Sequence, residues 1–429
     1  MDKLATKFDR TPVDLPVPDH VPKDRVLDLR FAVGQVKNDL MDPYAPVAPV
    51  LGPDVPRILY YPYQMMGMTG GCWVVSHYDD VREVYENDEL FSNVGVAQFQ
   101  ALVGETWPSI PLGVDKPLHA KYRGFLNQFF FPKELNKLEP QVRAIITEMI
   151  DAVAKDGEVD LTYEIGRVYP VKIFFSLMGY PMTMFEKFLH WENEILHTED
   201  LDRMKTAITE VLAYIRSFVE EERKNPKEGT VTNAIVFGGI DDRNFTDDEI
   251  MGMMFFLWLG GLDTVASTIG QMFRRLALDP ELQDKLRNHP EMHNSAVEEF
   301  LRTQPLVYSR RTLKKDHTWH GVTMKKGDRV MCLVSAANFD PDKFECPHQF
   351  DPERSNNRHL TLISGPHICL GAHLARRELR ILLQEWFKRI PPFKAKEGAD
   401  LSVTPGLISI PHLPLVWDKS LVKDVSDAD

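Results

Sequence analysis

One thiol in this chain is placed where it could do chemistry. Cys369 lies in Gly365-Pro366-His367-Ile368-Cys369-Leu370-Gly371-Ala372-His373-Leu374-Ala375-Arg376. There turn formers give way to apolar residues at helical spacing, Leu370, Leu374, Leu379, Leu382, Leu383, Trp386 and Phe387. A cysteine at a helix start faces unpaired N–H groups and the positive end of the macrodipole, which favour thiolate and can hydrogen-bond sulfur. Gly371, two residues on, lets a flat group approach the backbone. A proximal thiolate ligand of haem iron needs this arrangement. Alone, the residues also describe a small buried hydrophobe beside a helix. His367, Cys369 and His373 could equally seat zinc, or pair the thiol with an imidazole for hydrolysis.

A second set sits in Gly260-Gly261-Leu262-Asp263-Thr264. Thr246 followed by Glu249 reads as a capping box, and no proline intervenes before Pro280. The sequence therefore predicts one helix of roughly 30 residues, about 45 Å long. Met253 to Gly261 is apolar on every face, so this helix should be interior. Two central glycines cost about 2 kcal/mol relative to alanine, and a buried carboxylate beside a hydroxyl adds a penalty unless paired. Glycine would open space for a planar cofactor or a diatomic ligand, and Thr264 can bond a nearby carbonyl and kink the helix. A plain Asp-Thr bridge to another element would use the same residues. Glu299 and Arg302 form a third set at i and i+3, a spacing that is mostly surface decoration. Ala337-Asn338-Phe339-Asp340-Pro341-Asp342-Lys343-Phe344 and Phe350-Asp351-Pro352-Glu353-Arg354 follow.

The elements that must carry these residues are mainly helical. Val142, Ile145, Ile146, Met149, Ile150 and Val153 repeat at helical spacing, as do Met204, Ile208, Val211, Leu212, Ile215, Phe218 and Val219. Strand signals cluster at Trp319 to Met324 and Arg329 to Val334, around the turn Lys325-Lys326-Gly327-Asp328. Residues 1–42 read as an irregular Pro-rich segment. No linker or low-complexity tract divides the 429 residues, so residues 1–429 are expected to form a single domain. The four cysteines are widely spread and no signal peptide is visible, which points to reduced thiols in the cytoplasm. The apolar run Ile250 to Leu262 is short of the roughly 20 residues a membrane span needs, so no anchor is expected. A net charge of −13 argues against nucleic acid.

Taken in order, the motifs resemble the cytochrome P450 family, from about Pro43 to Asp418. The resemblance implies the mainly α fold with small β-sheets and a long central helix over a buried haem b. Cys369 matches the iron ligand, Asp263 and Thr264 the acid-alcohol pair that delivers protons during O2 cleavage, and Glu299, Arg302 and Arg354 the buried ion network. His119 and Arg123 in Asp115-Lys116-Pro117-Leu118-His119-Ala120-Lys121-Tyr122-Arg123, with Arg311 and His367, match propionate-binding positions. Gly260 and Gly371 would face the cofactor. Read from the residues alone, His119 and Arg123 could simply line a solvated helix face.

Within the family the chain is most similar to the soluble bacterial camphor hydroxylase group, through Leu259 to Val265, Cys369 to Glu378 and Leu413-Pro414-Leu415-Val416-Trp417-Asp418. Two departures stand out. Leu362-Ile363-Ser364-Gly365 replaces the usual Phe-Gly-x-Gly before the cysteine, and Trp107 stands where camphor binders have a ketone-bonding tyrosine. The resemblance implies a monooxygenase hydroxylating a small hydrophobic compound, a cyclic terpenoid or norisoprenoid, with an aromatic hydrocarbon as the competing substrate. A haem protein without oxygenase activity is the other reading. Trp107, Phe256, Leu259, Val307, Leu407 and Ile408 are the candidate pocket residues, with the Trp107 N–H a candidate substrate donor. The chain has no flavin-type glycine motif and no second cysteine cluster. Electrons are therefore expected from a separate ferredoxin, fed by a ferredoxin reductase and NAD(P)H and steered by Lys121, Arg123, Arg358, Arg376 and Arg377. A monomer is expected.

Overall fold

The computed structural model describes residues 15–27, 44–63, 70–198, 200–403 and 408–422. Much of the Pro-rich N-terminal segment, including Pro12, and Leu407 lie outside the described residues. The helices that position the site are, in chain order, α1 (Leu118–Phe130), α2 (Pro132–Ala154), α3 (Val168–Met178), α4 (Phe185–Leu196), α5 (Asp247–Leu262), α6 (Thr264–Leu278), α7 (His293–Thr303) and α8 (Ala372–Arg389). Helices predominate and the sheets are small, as the sequence predicts.

The predicted central helix is two helices laid end to end. The capping box forms as expected: Thr246 N–H donates to Glu249 Oε2 at 2.7 Å, and Glu249 N–H to Thr246 Oγ1 at 3.3 Å. Sixteen residues later the helix ends at Asp263, and Thr264 opens a second helix of 15 residues. The physical reason lies at the join. Thr264 Oγ1 donates to the Gly260 carbonyl at 3.3 Å, a side-chain bond that bends a helix where glycines leave it easily deformed. By length and composition Asp247–Leu278 passes for a membrane span, but 72% of its apolar window is buried inside the protein. It is a core helix.

Five strands form the main sheet: β1 (Ile58–Tyr61), β2 (Cys72–Val75), β3 (Phe91–Ser92), β4 (Ser309–Leu313) and β5 (Arg329–Cys332). Their order is β1-β2-β5-β4-β3, with β5 parallel to β2 and the other pairs antiparallel. Trp319 to Met324 is not one strand. His317–Trp319 pairs with Val322–Met324 as a hairpin, because His320 and Gly321 both take positive φ, 45° and 79°, and turn the chain.

The cores divide by position. Trp191, Phe188, Phe175 and Trp258 form one apolar cluster, built from α3, α4 and α5, whereas Phe273, Trp386, Leu382 and Phe300 form another, built from α6, α7 and α8. A largely buried ion network ties α7 to the segment that precedes the cysteine loop. Glu299 accepts from Arg302 Nη2 at 2.7 Å and Nε at 2.8 Å, and both side chains are fully buried. Arg354 Nε approaches both Glu299 oxygens at 3.3 Å, while Asn357 Nδ2 and the Asp351 N–H each donate to it at 2.9 Å. Arg302 Nη1 also caps the Asn338 carbonyl at 2.8 Å. Removing one member leaves buried charge unpaired. Glu299→Ala is expected to cost about 3–5 kcal/mol of unfolding free energy in a urea melt, and a loss below about 1 kcal/mol would show that the network is dispensable.

Candidate active site

Cys369 sits three residues before α8, held by its own backbone. Its N–H donates to the Leu362 carbonyl at 2.9 Å, and its carbonyl accepts from the Ala372 N–H at 3.3 Å. Burial pushes the thiol up, while the Gly371 N–H on sulfur and the charges of Arg123 and Arg376 pull the other way. Ile363, in the departure from the usual loop, adopts φ +65°. Left-handed backbone at a β-branched residue is a genuine outlier.

Four further predicted residues gather at this loop. α1 supplies His119 and Arg123, β4 supplies Arg311, and the loop itself supplies His367. The rings of His119 and His367 lie with centroids 3.8 Å apart and planes at 32°. Both are buried, and burial pushes them down to about 4 and about 3, helped by Arg123 on the first and by each other and Arg311 on the second. Two neutral imidazoles result. His119 Nε2 and Arg311 Nη2 are buried and find no hydrogen-bond partner among the described residues. Arg311 is 1% exposed, packed over the Tyr85 ring at 5.1 Å. Arg123 bridges the two elements, donating to Asn127 Oδ1 at 2.7 Å and to the Ile368 carbonyl.

The acid-alcohol pair occupies the break between α5 and α6. Asp263 is buried, and its partners were not legible in the sequence. Its Oδ2 lies 3.1 Å from His197 Nε2, and its Oδ1 accepts from Ser267 Oγ at 3.2 Å. His197 Nε2 also lies 3.2 Å from Glu192 Oε1. His197 follows α4 without any local pattern to mark it, and only the fold brings it to a carboxylate 66 residues away. Sequence reasoning required a partner for Asp263 and could not name it.

The pocket residues are less uniform. Trp107 is buried, edge-on to Phe255 at 5.8 Å, and its indole N–H already donates to Glu105 Oε2 at 2.7 Å. A substrate could take that donor only by displacing Glu105, which corrects the expectation of a free N–H. Phe256 and Leu259 lie on α5, Ile408 is fully buried in the core beside α6, and Val307 is 52% exposed. The basic cluster is largely spent internally: Lys121 pairs with Asp241, Arg376 with Glu298 at 2.6 Å, and Arg377 with Glu139 at 3.1 Å, leaving Arg358 exposed.

Comparison with known proteins resolves what this loop belongs to. The cytochrome P450 family model matches residues 62–396. The chain belongs to the cytochrome P450 family. It is 36% identical over 407 residues to "Probable cytochrome P450 127A1" of Sinorhizobium fredii, covering 94% of this chain and 97% of that one. The crystal structure of CYP101J2 superposes with a TM-score of 0.80 at 30% identity, covering 94% of this chain and 99% of that one. CYP109E1 from Bacillus megaterium, solved in complex with testosterone, matches with a TM-score of 0.80 at 25% identity, covering 89% and 99%.

A cytochrome P450 is a monooxygenase that carries haem b on a cysteine thiolate and consumes O2. The residues at hand fit such a group. Buried, unpartnered donors on His119 and Arg311 suit its two carboxylates, and a Cβ built at Gly260 or Gly371 would meet nothing within 4 Å. Gly261 differs, since its Cβ would lie 2.6 Å from the Phe174 ring on α3. Gly260→Ala is expected to keep or raise the melting temperature, by up to about 1 kcal/mol of helix propensity. Gly261→Ala should instead lose about 1–3 kcal/mol to overpacking. Equal losses by thermal unfolding would contradict the open face at Gly260.

Proposed function

We propose that Cys369 is the thiolate ligand of haem b and that His119, Arg123, Arg311 and His367 bind its propionates. The supporting observation is the pair of buried donors without partners, His119 Nε2 and Arg311 Nη2, beside the cysteine loop. Orphaned donors of this kind cost about 1–3 kcal/mol each unless a ligand satisfies them, and charge-assisted bonds to carboxylates would do so. When bound, the haem supplies O2 reduction and C–H hydroxylation. The chain's own residues do the rest: Gly260 and Gly371 admit the flat group, Thr264 offers a hydroxyl at the helix break, and Asp263 moves protons toward it. Glu299, Arg302 and Arg354 hold the segment from which the loop hangs.

The substrate in this reading is a small hydrophobic ring compound, a cyclic terpenoid or norisoprenoid. The likeness to the camphor hydroxylase group and the apolar surroundings of Trp107 support it, and a structural relative seen with testosterone fits a preference for apolar rings. Because Glu105 occupies the Trp107 N–H, recognition rests on shape more than on a hydrogen bond to that ring. The electron donor is a ferredoxin meeting a cytoplasmic, monomeric, single-domain enzyme over residues 1–429. With Lys121, Arg376 and Arg377 internally paired, its docking relies on local geometry and Arg358 more than on an open basic patch.

Cys369→Ser is expected to abolish the strongly red-shifted Soret band of the ferrous carbonyl complex; an unchanged band would remove Cys369 as ligand. Thr264→Ala should keep haem and substrate binding while sending most electrons to hydrogen peroxide, measured as peroxide released per NAD(P)H. Undiminished product per electron would overturn the role of Thr264. A spin-state titration across terpenoids and aromatic hydrocarbons separates the two substrate classes.

A further inference from the structure

Deepening that reading, on which it rests, we propose that His197 is the positioning residue that supplies protons to Asp263, with Glu192 as its reserve. The cluster joins three elements. Glu192 comes from α4, His197 from the residue that ends it, and Asp263 from the break between α5 and α6. Ser267 on α6 holds the far oxygen of Asp263 at 3.2 Å, and Arg167, just before α3, contributes a distant positive charge to Glu192.

The geometry poses a shortage of protons. His197 has one hydrogen on Nε2, and that nitrogen lies 3.1 Å from Asp263 Oδ2 and 3.2 Å from Glu192 Oε1. One N–H cannot satisfy both well, and Glu192 Oε1 is the oxygen left buried without a hydrogen bond. Two buried carboxylates against one imidazolium would leave a net negative charge in a low-dielectric site, which is costly. A proton on Glu192 makes the cluster neutral, with Asp263 as carboxylate, His197 as imidazolium and Glu192 as acid. The electrostatics agree. Burial and the Asp263 charge push Glu192 up, and hydrogen bonds to Asp263 first and Glu192 second hold His197 up at about 10 against the burial that opposes them.

The transfer then balances. The Nε2–H bond breaks as an Oδ2–H bond forms on Asp263, leaving neutral imidazole. The freed Nε2 lone pair takes the Glu192 proton, restoring imidazolium and leaving Glu192 as carboxylate. When Asp263 passes its proton on, the cluster has lost one proton overall. Bulk water returns it through the His197 side chain, which is 17% exposed while those of Glu192 and Asp263 are 6% and 10% exposed. The charge on His197 persists through neutral pH and is lost as pH rises through about 10.

The test uses holoenzyme, with haem content verified, for wild type, His197→Gln, Glu192→Gln and His197→Lys. Product per NAD(P)H is followed from pH 6 to 10 in H2O and D2O, and histidine 15N NMR follows His197 in the diamagnetic ferrous carbonyl form. In wild type the His197 ring should titrate near pH 10, and Glu192→Gln should lower that value. His197→Gln should reduce coupled turnover by on the order of 100-fold, the low end for a positioned proton donor, and raise the solvent isotope effect. His197→Lys, which keeps the charge, should recover part of that loss at neutral pH. A His197 ring titrating near its ordinary value overturns the proposal, as does an unchanged pH profile in His197→Gln. If His197→Gln yields no holoenzyme, the isosteric Glu192→Gln decides alone, an unmoved pH profile refuting the reserve. Thr264→Ala keeps the two readings apart. Uncoupling there with an indifferent His197→Gln refutes only His197, whereas coupled turnover in Thr264→Ala refutes the acid-alcohol reading itself.

Discussion

The Glu299 carboxylate is the constraint from which the cysteine loop takes its position. A charge with no solvent contact must be surrounded by donors or it will not stay charged. Meeting that need recruits Arg302 from its own helix and Arg354, Asn357 and the Asp351 N–H from a segment more than fifty residues downstream. The same segment runs on into the loop. Asn338 Nδ2 donates to the Arg302 carbonyl and to Thr361 Oγ1, Thr361 Oγ1 donates to the Leu301 carbonyl, and Asn338 Oδ1 accepts the Leu360 N–H. One residue later the Leu362 carbonyl receives the Cys369 N–H. A series of buried and part-buried polar contacts thus connects the ion network to the Cys369 backbone.

The loop is held from other sides as well. Arg123 reaches from α1 to the Ile368 carbonyl, the His119 ring lies tilted against His367, and Gly365 fits so closely against Tyr85 and Glu86 that a Cβ there would lie 2.9 Å from the Tyr85 carbonyl oxygen. Glu298, the neighbour of Glu299, pairs with Arg376 on α8 and with His359. Adjacent acids on α7 therefore fasten the segment before the loop and the helix after it. Placing a sulfur atom accurately requires this redundancy, because no single contact of about 1 kcal/mol would fix it.

Sequence reading found what is encoded locally and lost what depends on distant contacts. The helix at Cys369, the capping box at Thr246 and the Glu299/Arg302 pair rest on spacing within a few residues, and all three were legible. The helix break at Asp263 was anticipated as a kink; it is a full break, with Thr264 Oγ1 on the Gly260 carbonyl and Asp263 tied to a distant His197 that the local sequence does not reveal. Trp319 to Met324 misled because its β-branched and aromatic residues hid a turn at His320 and Gly321, where the backbone takes positive φ. Trp107 sits among apolar residues, but its N–H is already taken by Glu105, two residues earlier. His197 and Glu192 were invisible for the plainest reason, since nothing near them in the chain announces the carboxylate they meet.

Ile363 has a consequence for how the protein ages. A β-branched residue in left-handed backbone costs about 1–2 kcal/mol, and it lies six residues before the thiol, in the turn closed by the Ile363 N–H on the Leu360 carbonyl. The surrounding contacts hold the loop against this penalty only while they remain intact. Warming that loosens them is expected to release the loop before it melts α6 or α8, whose apolar faces are buried in the core. The working lifetime of such a molecule is then expected to be set by wear at one turn six residues before Cys369 rather than by the durability of the fold.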